Sequence, residues 1–251
     1  MKTKDLFKYN PRKELMAVLV NYILIVAMFY VSFQIITIKN VAAQFITFGI
    51  LGILLLGVMT PALYSTLIMK RSLSVLGIKK EKFLFSVGLC FAFSLVQYFM
   101  TLAKLELPEF MSLVPLMSML LAVGLFENIF FRGFVQMRFE ESFGIIPGIV
   151  ISAALYCLYH IGYGMEGSEF LILFAIGLIY STIFRLTTNL FILYPVLTPM
   201  GALFTNIKEG MIIPFEATIG FTLVMILAIG GLLTIHKVYK KQQIKILKST
   251  N

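Results

Sequence analysis

The chain has 251 residues, of which 59% are hydrophobic and only 13% are charged, and its mean hydropathy is +0.94. Soluble domains carry about a quarter charged residues, so this composition excludes an ordinary soluble protein and indicates an integral membrane protein. The formal net charge of +9 could indicate nucleic-acid binding. The distribution of the basic residues along the chain argues against that function. Both cysteines, Cys90 and Cys157, lie in apolar stretches and are predicted to be buried thiols.

Eight apolar segments are long enough to be predicted as membrane crossings. In chain order they cover residues 15–36, 42–69, 83–103, 110–139, 145–163, 170–186, 190–205 and 215–235. The basic leader of residues 1–14 has no small-residue cleavage site after it, so the first helix is predicted to be uncleaved. The basic tail of residues 237–251 is expected either as a surface helix or as a solvated tail. The chain is thus predicted to form one all-α, polytopic membrane domain, residues 1–251.

The positions of the basic residues predict how the chain is oriented in the membrane. If both termini are cytoplasmic, 18 of the 21 Lys and Arg residues fall in cytoplasmic segments or next to them, and only Lys39, Lys104 and Lys208 fall outside. This is a strong positive-inside bias. The sequence therefore predicts a multi-pass cell-membrane protein whose basic excess faces an anionic leaflet, with no nucleic-acid partner.

The fourth predicted span carries two charged side chains, Glu127 and Arg132, within apolar surroundings. Ionisable groups in hydrocarbon are costly, so they are functional candidates unless they form a structural ion pair between helices. Glu127 would lie near mid-depth and could act as a general base that takes a proton from water. Asn128 and Arg132 are four residues apart and share a helix face, whereas Glu127 and Arg132 do not. Arg132 is therefore expected to bond to Asn128, to a backbone carbonyl or to another helix.

His160, on the fifth predicted span, is the second candidate for chemistry. A lone histidine in a membrane helix is often only a hydrogen-bonded packing residue. The connection between the fourth and fifth spans is short, so these helices are predicted to be antiparallel neighbours. Glu127 and His160 could then activate water and stabilise an oxyanion together.

The seventh predicted span contains two prolines four residues apart, Pro195 and Pro199. They interrupt the helix and free backbone carbonyls, which is tolerated at this depth only against protein or a water-lined cavity. Such a segment suits the wall of an active site and equally the midpoint of a transporter. One glutamate and one histidine cannot complete a three-ligand zinc site, and no HExxH occurs, so no metal or other cofactor is predicted.

These residues resemble the motifs of the CAAX-processing and bacteriocin-processing (CPBP, or Abi) family of intramembrane endopeptidases. That family carries EExxxR on one membrane helix and FxxxH on the next. Glu127, Asn128 and Arg132 match the first motif with Asn at the second acidic position, and Gly133 follows as usual. His160 matches the second motif, with a tyrosine in place of the phenylalanine.

The family's third motif, HxxxN, has no histidine here, and Thr198 and Asn206 are its possible positions. The resemblance spans about residues 110–206 and implies a CAAX-protease-like helical bundle with a family-like core at about residues 83–206. It implies an endopeptidase that hydrolyses a membrane-associated peptide or protein, in which Glu127 activates water and His160 helps to hold the oxyanion. The alternative is a catalytically weakened member that serves as a bacteriocin-immunity or accessory membrane protein. A transporter is a third possibility.

Overall fold

The computed structural model of the chain describes residues 5–36, 40–165 and 167–249, without the side chains of 245–249. Lys39 and the two ends of the predicted basic tails, residues 1–4 and 250–251, lie outside the described residues. Across the described ranges every regular element is helical and no strand occurs. The predicted all-α fold is therefore confirmed.

Seven of the helices are long and apolar enough to cross a membrane, as expected of a polytopic helical membrane protein. Together with one shorter helix and in chain order, they are α1 (Glu14–Ile35), α2 (Val41–Ile68), α3 (Phe83–Lys104), α4 (Phe110–Phe143), α5 (Ile145–Tyr163), α6 (Gly167–Thr187), α7 (Leu197–Lys208) and α8 (Ala217–Ser249). Short 3₁₀ turns at Leu73–Leu76 and Leu190–Ile192 precede α3 and α7.

The seventh predicted crossing, residues 190–205, is not a continuous helix, and this detail of the prediction is corrected. Its helical part, α7, has only 12 residues. The segment before α7 begins at Asn189, whose side-chain amide donates to the backbone carbonyls of Lys79 (2.9 Å) and Glu81 (2.9 Å) in the loop before α3. Pro195 lacks an N–H group and cannot continue a helix, so the first half of the crossing is irregular. Most of its side chains, those of Leu190, Ile192, Leu193 and Tyr194, are buried against the protein, which suits irregular backbone at membrane depth.

Helix α4 forms the centre of the bundle and packs against α2, α5, α7 and α8. Its aromatic side chains build the core, and those of Phe126, Phe130 and Phe131 are fully buried. The predicted antiparallel pairing of α4 and α5 is present. Gly144 alone separates the two helices and has a φ of 98°, in the left-handed region that favours glycine.

The two basic ends of the chain differ from the tails that the sequence suggests. The leader is docked onto the turn between α4 and α5, where the backbone N–H of Lys8 donates to Phe143 (2.9 Å) and that of Asn10 donates to Ser142 (2.8 Å). The tail, as far as residue 249, continues α8 without a break and is neither a separate surface helix nor an irregular tail. Cys90 and Cys157 are buried free thiols, as predicted.

Candidate active site

The Glu127 carboxyl lies in the middle of α4 and is 6% exposed. It is 16 residues from the end of α4 at Phe143, or ~24 Å at 1.5 Å per residue. The structural ion pair considered as an alternative is not formed, because no salt bridge within 4 Å involves Glu127 among the described residues. Its oxygen Oε1 instead accepts a hydrogen bond from the Tyr159 hydroxyl of α5.

Tyr159 joins the two candidates for chemistry. While its hydroxyl bonds to Glu127, its ring lies against the His160 imidazole with 4.1 Å between the ring centroids. Tyr159 is itself almost fully buried and also packs on Phe131 of α4, at 4.8 Å between ring centroids. The acid and the imidazole therefore belong to one cluster at the interface of α4 and α5.

His160 has a defined tautomer in its neutral form. Its Nδ1 lies 2.8 Å from the backbone carbonyl oxygen of Tyr156. A carbonyl only accepts hydrogen bonds, so Nδ1 carries the proton and Nε2 is left with a lone pair. His160 is half-buried, whereas Glu127 and Tyr159 are buried. The imidazole is therefore the most accessible member of the cluster.

The Arg132 guanidinium is held by hydrogen bonds to side chains of α5 and α6, so its partners lie on other helices, which is one of the expected arrangements. Its NH1 donates to the Ser181 hydroxyl (2.6 Å) and to the Ser152 hydroxyl (3.4 Å). The guanidinium also lies over the Tyr156 ring, 4.9 Å from the ring centroid, which is a cation–π contact. Asn128, the expected partner on its own helix, does not bond to it. Arg132 thus holds three helices together beside the Glu127 cluster.

A polar chain of hydrogen bonds continues from Arg132 to the basic end of the bundle. Gln136 donates from Nε2 to the backbone carbonyl of Ser181 (3.1 Å) and to Glu140 Oε1 (2.9 Å). Glu140 Oε2 then pairs with Nε of Arg185, 3.2 Å away, on α6. Of these side chains only Arg185 is substantially exposed, so the chain links the buried guanidinium to the surface.

The backbone of α4 changes its winding at this site. The stretch Asn128–Gln136 is π-helical, and its i→i+5 hydrogen bonding widens the helix. The expectation that Glu127 and Arg132 face different ways assumed α-helical winding, and a wider turn brings residues five apart closer to one face. Gly133 allows the turn at Leu73–Leu76 to pack closely here, because an added Cβ would lie 2.9 Å from the Leu76 Cα.

Of the two possible third-motif positions, only Thr198 is near the cluster. The Asn128 amide donates to the Thr198 hydroxyl (3.1 Å) and to the Gly124 carbonyl (2.7 Å). Asn206 lies about two turns further along α7 and donates to Ala202 of its own helix (2.7 Å). Asn128 and Thr198 therefore connect α4 to α7 beside Glu127.

The donor set does not fit a resident metal. The described residues contain no group of three or more His, Cys, Asp or Glu side chains that could hold a metal ion. Glu127 and His160 supply two ligands at most, and their neighbours Tyr159, Asn128 and Thr198 are poor zinc ligands. The chemistry of this site is therefore derived from its own side chains.

Part of the chain that carries this site is similar to a known family. Residues 109–198 match the type II CAAX prenyl endopeptidase Rce1-like family. The matched segment begins just before α4, contains the Glu127, Arg132 and His160 motifs, and ends at Thr198, so the predicted resemblance to the CPBP family is confirmed. No curated protein and no solved structure matches the chain. The family is a protease family, which supports a protease as the class of this protein.

Tyr159, Ser152 and Ser181 are the residues of the site that the sequence motifs do not indicate. Tyr159 directly precedes His160, and a tyrosine hydroxyl deep in an apolar helix needs a partner, which is a signal that the sequence does contain. The two serines give no such signal, because small hydroxyl residues are common packing residues of membrane helices.

Proposed function

We propose that this protein is an intramembrane endopeptidase that hydrolyses a membrane-associated peptide by means of a water molecule activated by Glu127. The observation that carries the proposal is the environment of the Glu127 carboxyl. This group is buried at mid-helix, accepts a hydrogen bond from a tyrosine and has no ion pair in the described part of the chain. A structural ion pair would have neutralised the acid, whereas this arrangement leaves it able to accept a proton.

The reaction needs one proton carrier and one nucleophile. Glu127 takes a proton from water while the water oxygen bonds to the carbonyl carbon of the peptide. Breakdown of the tetrahedral intermediate breaks the C–N bond, and Glu127 returns the proton to the departing amine. The products are a carboxylic acid and an amine, which ionise to a carboxylate and an ammonium group by transfer of one proton, so atoms and charge balance without a further reactant.

His160 and Tyr159 have distinct parts in this scheme. The lone pair on His160 Nε2 can accept a hydrogen bond from the attacking water and orient it. The expected role of His160 in holding the oxyanion would first require a proton on Nε2, because Nδ1–H is directed at the Tyr156 carbonyl. Tyr159 positions the Glu127 carboxylate and is the nearest hydroxyl donor to an oxyanion formed there.

The substrate class follows from the description of the matching family. A type II CAAX prenyl endopeptidase acts on a prenylated carboxyl-terminal tail, so the proposed substrate is a lipid-bearing peptide that can reach the site from the membrane. Because Glu127 is buried and His160 is half-buried, the peptide must approach Glu127 past His160. The site therefore opens around the last turn of α5 when it binds a substrate.

We also propose that the protein lies in the cell membrane with both termini on the cytoplasmic side. The positive-inside distribution supports this orientation. So does the meeting of Arg12, Arg71 and Arg138 around Glu141, since these arginines come from the leader, the loop after α2 and the end of α4.

The test is cleavage of a fluorogenic prenylated CAAX peptide by the full-length protein in liposomes. Glu127→Gln keeps the size of the side chain but removes the base, so we expect cleavage to fall by at least about a hundredfold, as general-base catalysis typically contributes 10²–10⁴-fold. His160→Asn should also lower the rate. Glu109→Gln, the same change at an exposed position before α4, should have no effect. Equal rates for wild type and Glu127→Gln would overturn the assignment.

A second candidate function follows from two departures from the family pattern: Asn128 replaces its second acid, and its third-motif histidine has no counterpart in the chain. A weakened relative could protect a cell from a bacteriocin or support a partner without cleaving anything. In that case wild type would not cleave the peptide, and immunity in a protection assay would survive Glu127→Gln. Loss of both cleavage and protection in the same variant would favour the endopeptidase.

A further inference from the structure

A groove of about 540 Å³ lies at the basic end of the bundle, away from the Glu127 site. It is lined by the end of the leader, the start of α1 and the end of α2, through Pro11, Arg12, Lys13, Glu14, Tyr64, Ile68 and Met69. Ligand sites commonly have volumes of a few hundred to about 1,000 Å³, so the groove is large enough for a small ligand group.

The groove carries more positive charge than its surroundings neutralise. Glu141 pairs with three arginines, Arg12 (3.1 Å), Arg71 (2.9 Å) and Arg138 (3.2 Å). One carboxylate offsets only one of these three cations. Lys13 adds a further positive charge at the groove itself and has no ion pair among the described residues. Glu14 is the only acid that lines the groove, so its charge balance favours an anion.

The leader that forms one side of the groove is held in place. Two backbone hydrogen bonds from residues 8 and 10 join it to the end of α4, and the Tyr9 ring packs on Phe143 at 5.9 Å between centroids. Arg12 is also fixed, because its NH1 donates a hydrogen bond to Glu141. Its Nε and NH2 bond to no group in the described structure and remain available as donors. A preorganised guanidinium with free donors is suited to a phosphate.

The other side of the groove is largely apolar, through Tyr64, Ile68 and Met69, and exposed apolar side chains lie on it and near it. Ile68, the last residue of α2, is 67% exposed, and Met16 in the first turn of α1 is 69% exposed. A free anion would gain no favourable contact from these apolar side chains. A lipid would place its headgroup on the cations and its acyl chains along the exposed apolar side chains.

We propose that this groove binds the phosphate-bearing headgroup of an anionic glycerophospholipid from the leaflet at the basic end. The site is separate from the proposed hydrolysis and does not depend on it. The phosphate accepts hydrogen bonds from Arg12 and Lys13, while Tyr64 and Ile68 border the glycerol and the start of the chains. Bound lipid would tie the leader, α1 and α2 together at their ends.

Native mass spectrometry of the full-length protein in detergent tests the proposal, with phosphatidylglycerol or phosphatidylcholine added. We expect a retained phosphatidylglycerol adduct that phosphatidylcholine does not replace. The double variant Arg12→Gln/Lys13→Gln should bind it about thirtyfold more weakly, because each cation near an anionic surface contributes roughly fivefold. Lys240→Gln/Lys241→Gln removes the same charge from an exposed part of α8 and should leave the adduct unchanged.

Three controls make the outcome decisive. Equal loss in both double variants would show general charge attraction and would overturn the proposal. Displacement of the lipid by soluble glycerol phosphate at matching concentrations would show a free-anion site and would overturn the lipid as the ligand. If the double variant unfolds in phosphatidylcholine, Lys13→Gln alone removes no ion pair of the described structure and should weaken the adduct about fivefold.

Discussion

The Tyr159 hydroxyl fixes the position of the buried Glu127 carboxyl through a hydrogen bond. Without it, Glu127 would have neither an ion pair nor a hydrogen-bonded side chain to fix its carboxylate among the described residues. A fully buried carboxyl in that condition would be free to rotate and costly to ionise. The tyrosine also packs against His160, so a single side chain aligns both members of the proposed pair.

Removal of this hydroxyl should impair catalysis more than stability. We expect Tyr159→Phe to lower the rate of peptide cleavage in liposomes by about ten- to a hundredfold, since hydrogen bonds to charged groups contribute about 1.5–3 kcal/mol. Tyr22→Phe is the matched control, because Tyr22 packs edge-on against Phe131 of α4 but has no side-chain hydrogen bond in the described structure. An unchanged rate in Tyr159→Phe would contradict the positioning role.

At the scale of single residues, sequence reasoning works where a residue is chemically out of place. Glu127, Arg132 and His160 stand out because charged or titratable groups are expensive in hydrocarbon. Ser152 and Ser181 do not stand out, although both accept hydrogen bonds from Arg132. Their role depends on which helices are neighbours, and that information is not present in the local sequence.

Among the elements, we expect the crossing from Asn189 to α7 to be the most easily destabilised, because half of it is not helical. Asn189 is fully buried and makes three hydrogen bonds to backbone groups, two to the loop before α3 and one from the Phe191 N–H (3.0 Å). These hydrogen bonds take the place of backbone hydrogen bonds that a continuous helix would have formed. Loss of this side chain would leave several backbone groups unpaired at one point.

We therefore expect Asn189→Ala to destabilise the protein by about 3 kcal/mol, since an unsatisfied buried polar group costs about 1–3 kcal/mol. The measurement is the thermal unfolding midpoint in detergent. Asn206→Ala is the matched control, because Asn206 is half-buried and bonds only within its own helix, and its midpoint should change little. Equal midpoints for both variants would contradict the account of this crossing.

At the scale of elements, the sequence predicts the number and order of the crossings better than their form. Seven of the eight predicted spans are long helices because an apolar run near 20 residues has one stable solution in a bilayer. The prolines at 195 and 199 correctly indicate an interruption, but not which half stays helical. The sequence also does not indicate that Asn189 anchors the irregular half, because its partners lie in a loop more than 100 residues earlier in the chain.

At the scale of the whole molecule, Arg12, Arg71 and Arg138 meet around Glu141 at one end of the bundle, where the leader, the loop after α2 and the end of α4 come together. If this end is cytoplasmic, Lys240→Cys should be shielded from a membrane-impermeant maleimide in intact cells, while Glu109→Cys should be labelled. Cys90 and Cys157 are buried and should give little background. Labelling of Lys240→Cys with protection of Glu109→Cys would reverse the proposed orientation.

The family match covers only the central part of the chain. The match covers α4 to the start of α7 and supports a protease, while α1, α2, α3 and α8 lie outside the matched residues. The leader and α2 instead carry the basic groove, so the chain combines a family-like centre with a lipid-facing periphery of its own.

The central claim is that Glu127 makes water attack a peptide bond, and the source of the oxygen in the product tests it most directly. Cleavage of the prenylated peptide in H₂¹⁸O should place one ¹⁸O atom in the new carboxyl terminus, detectable by mass spectrometry, and Glu127→Gln should form almost none of this product. An unlabelled product, or the same labelled product at an equal rate from Glu127→Gln, would contradict the account.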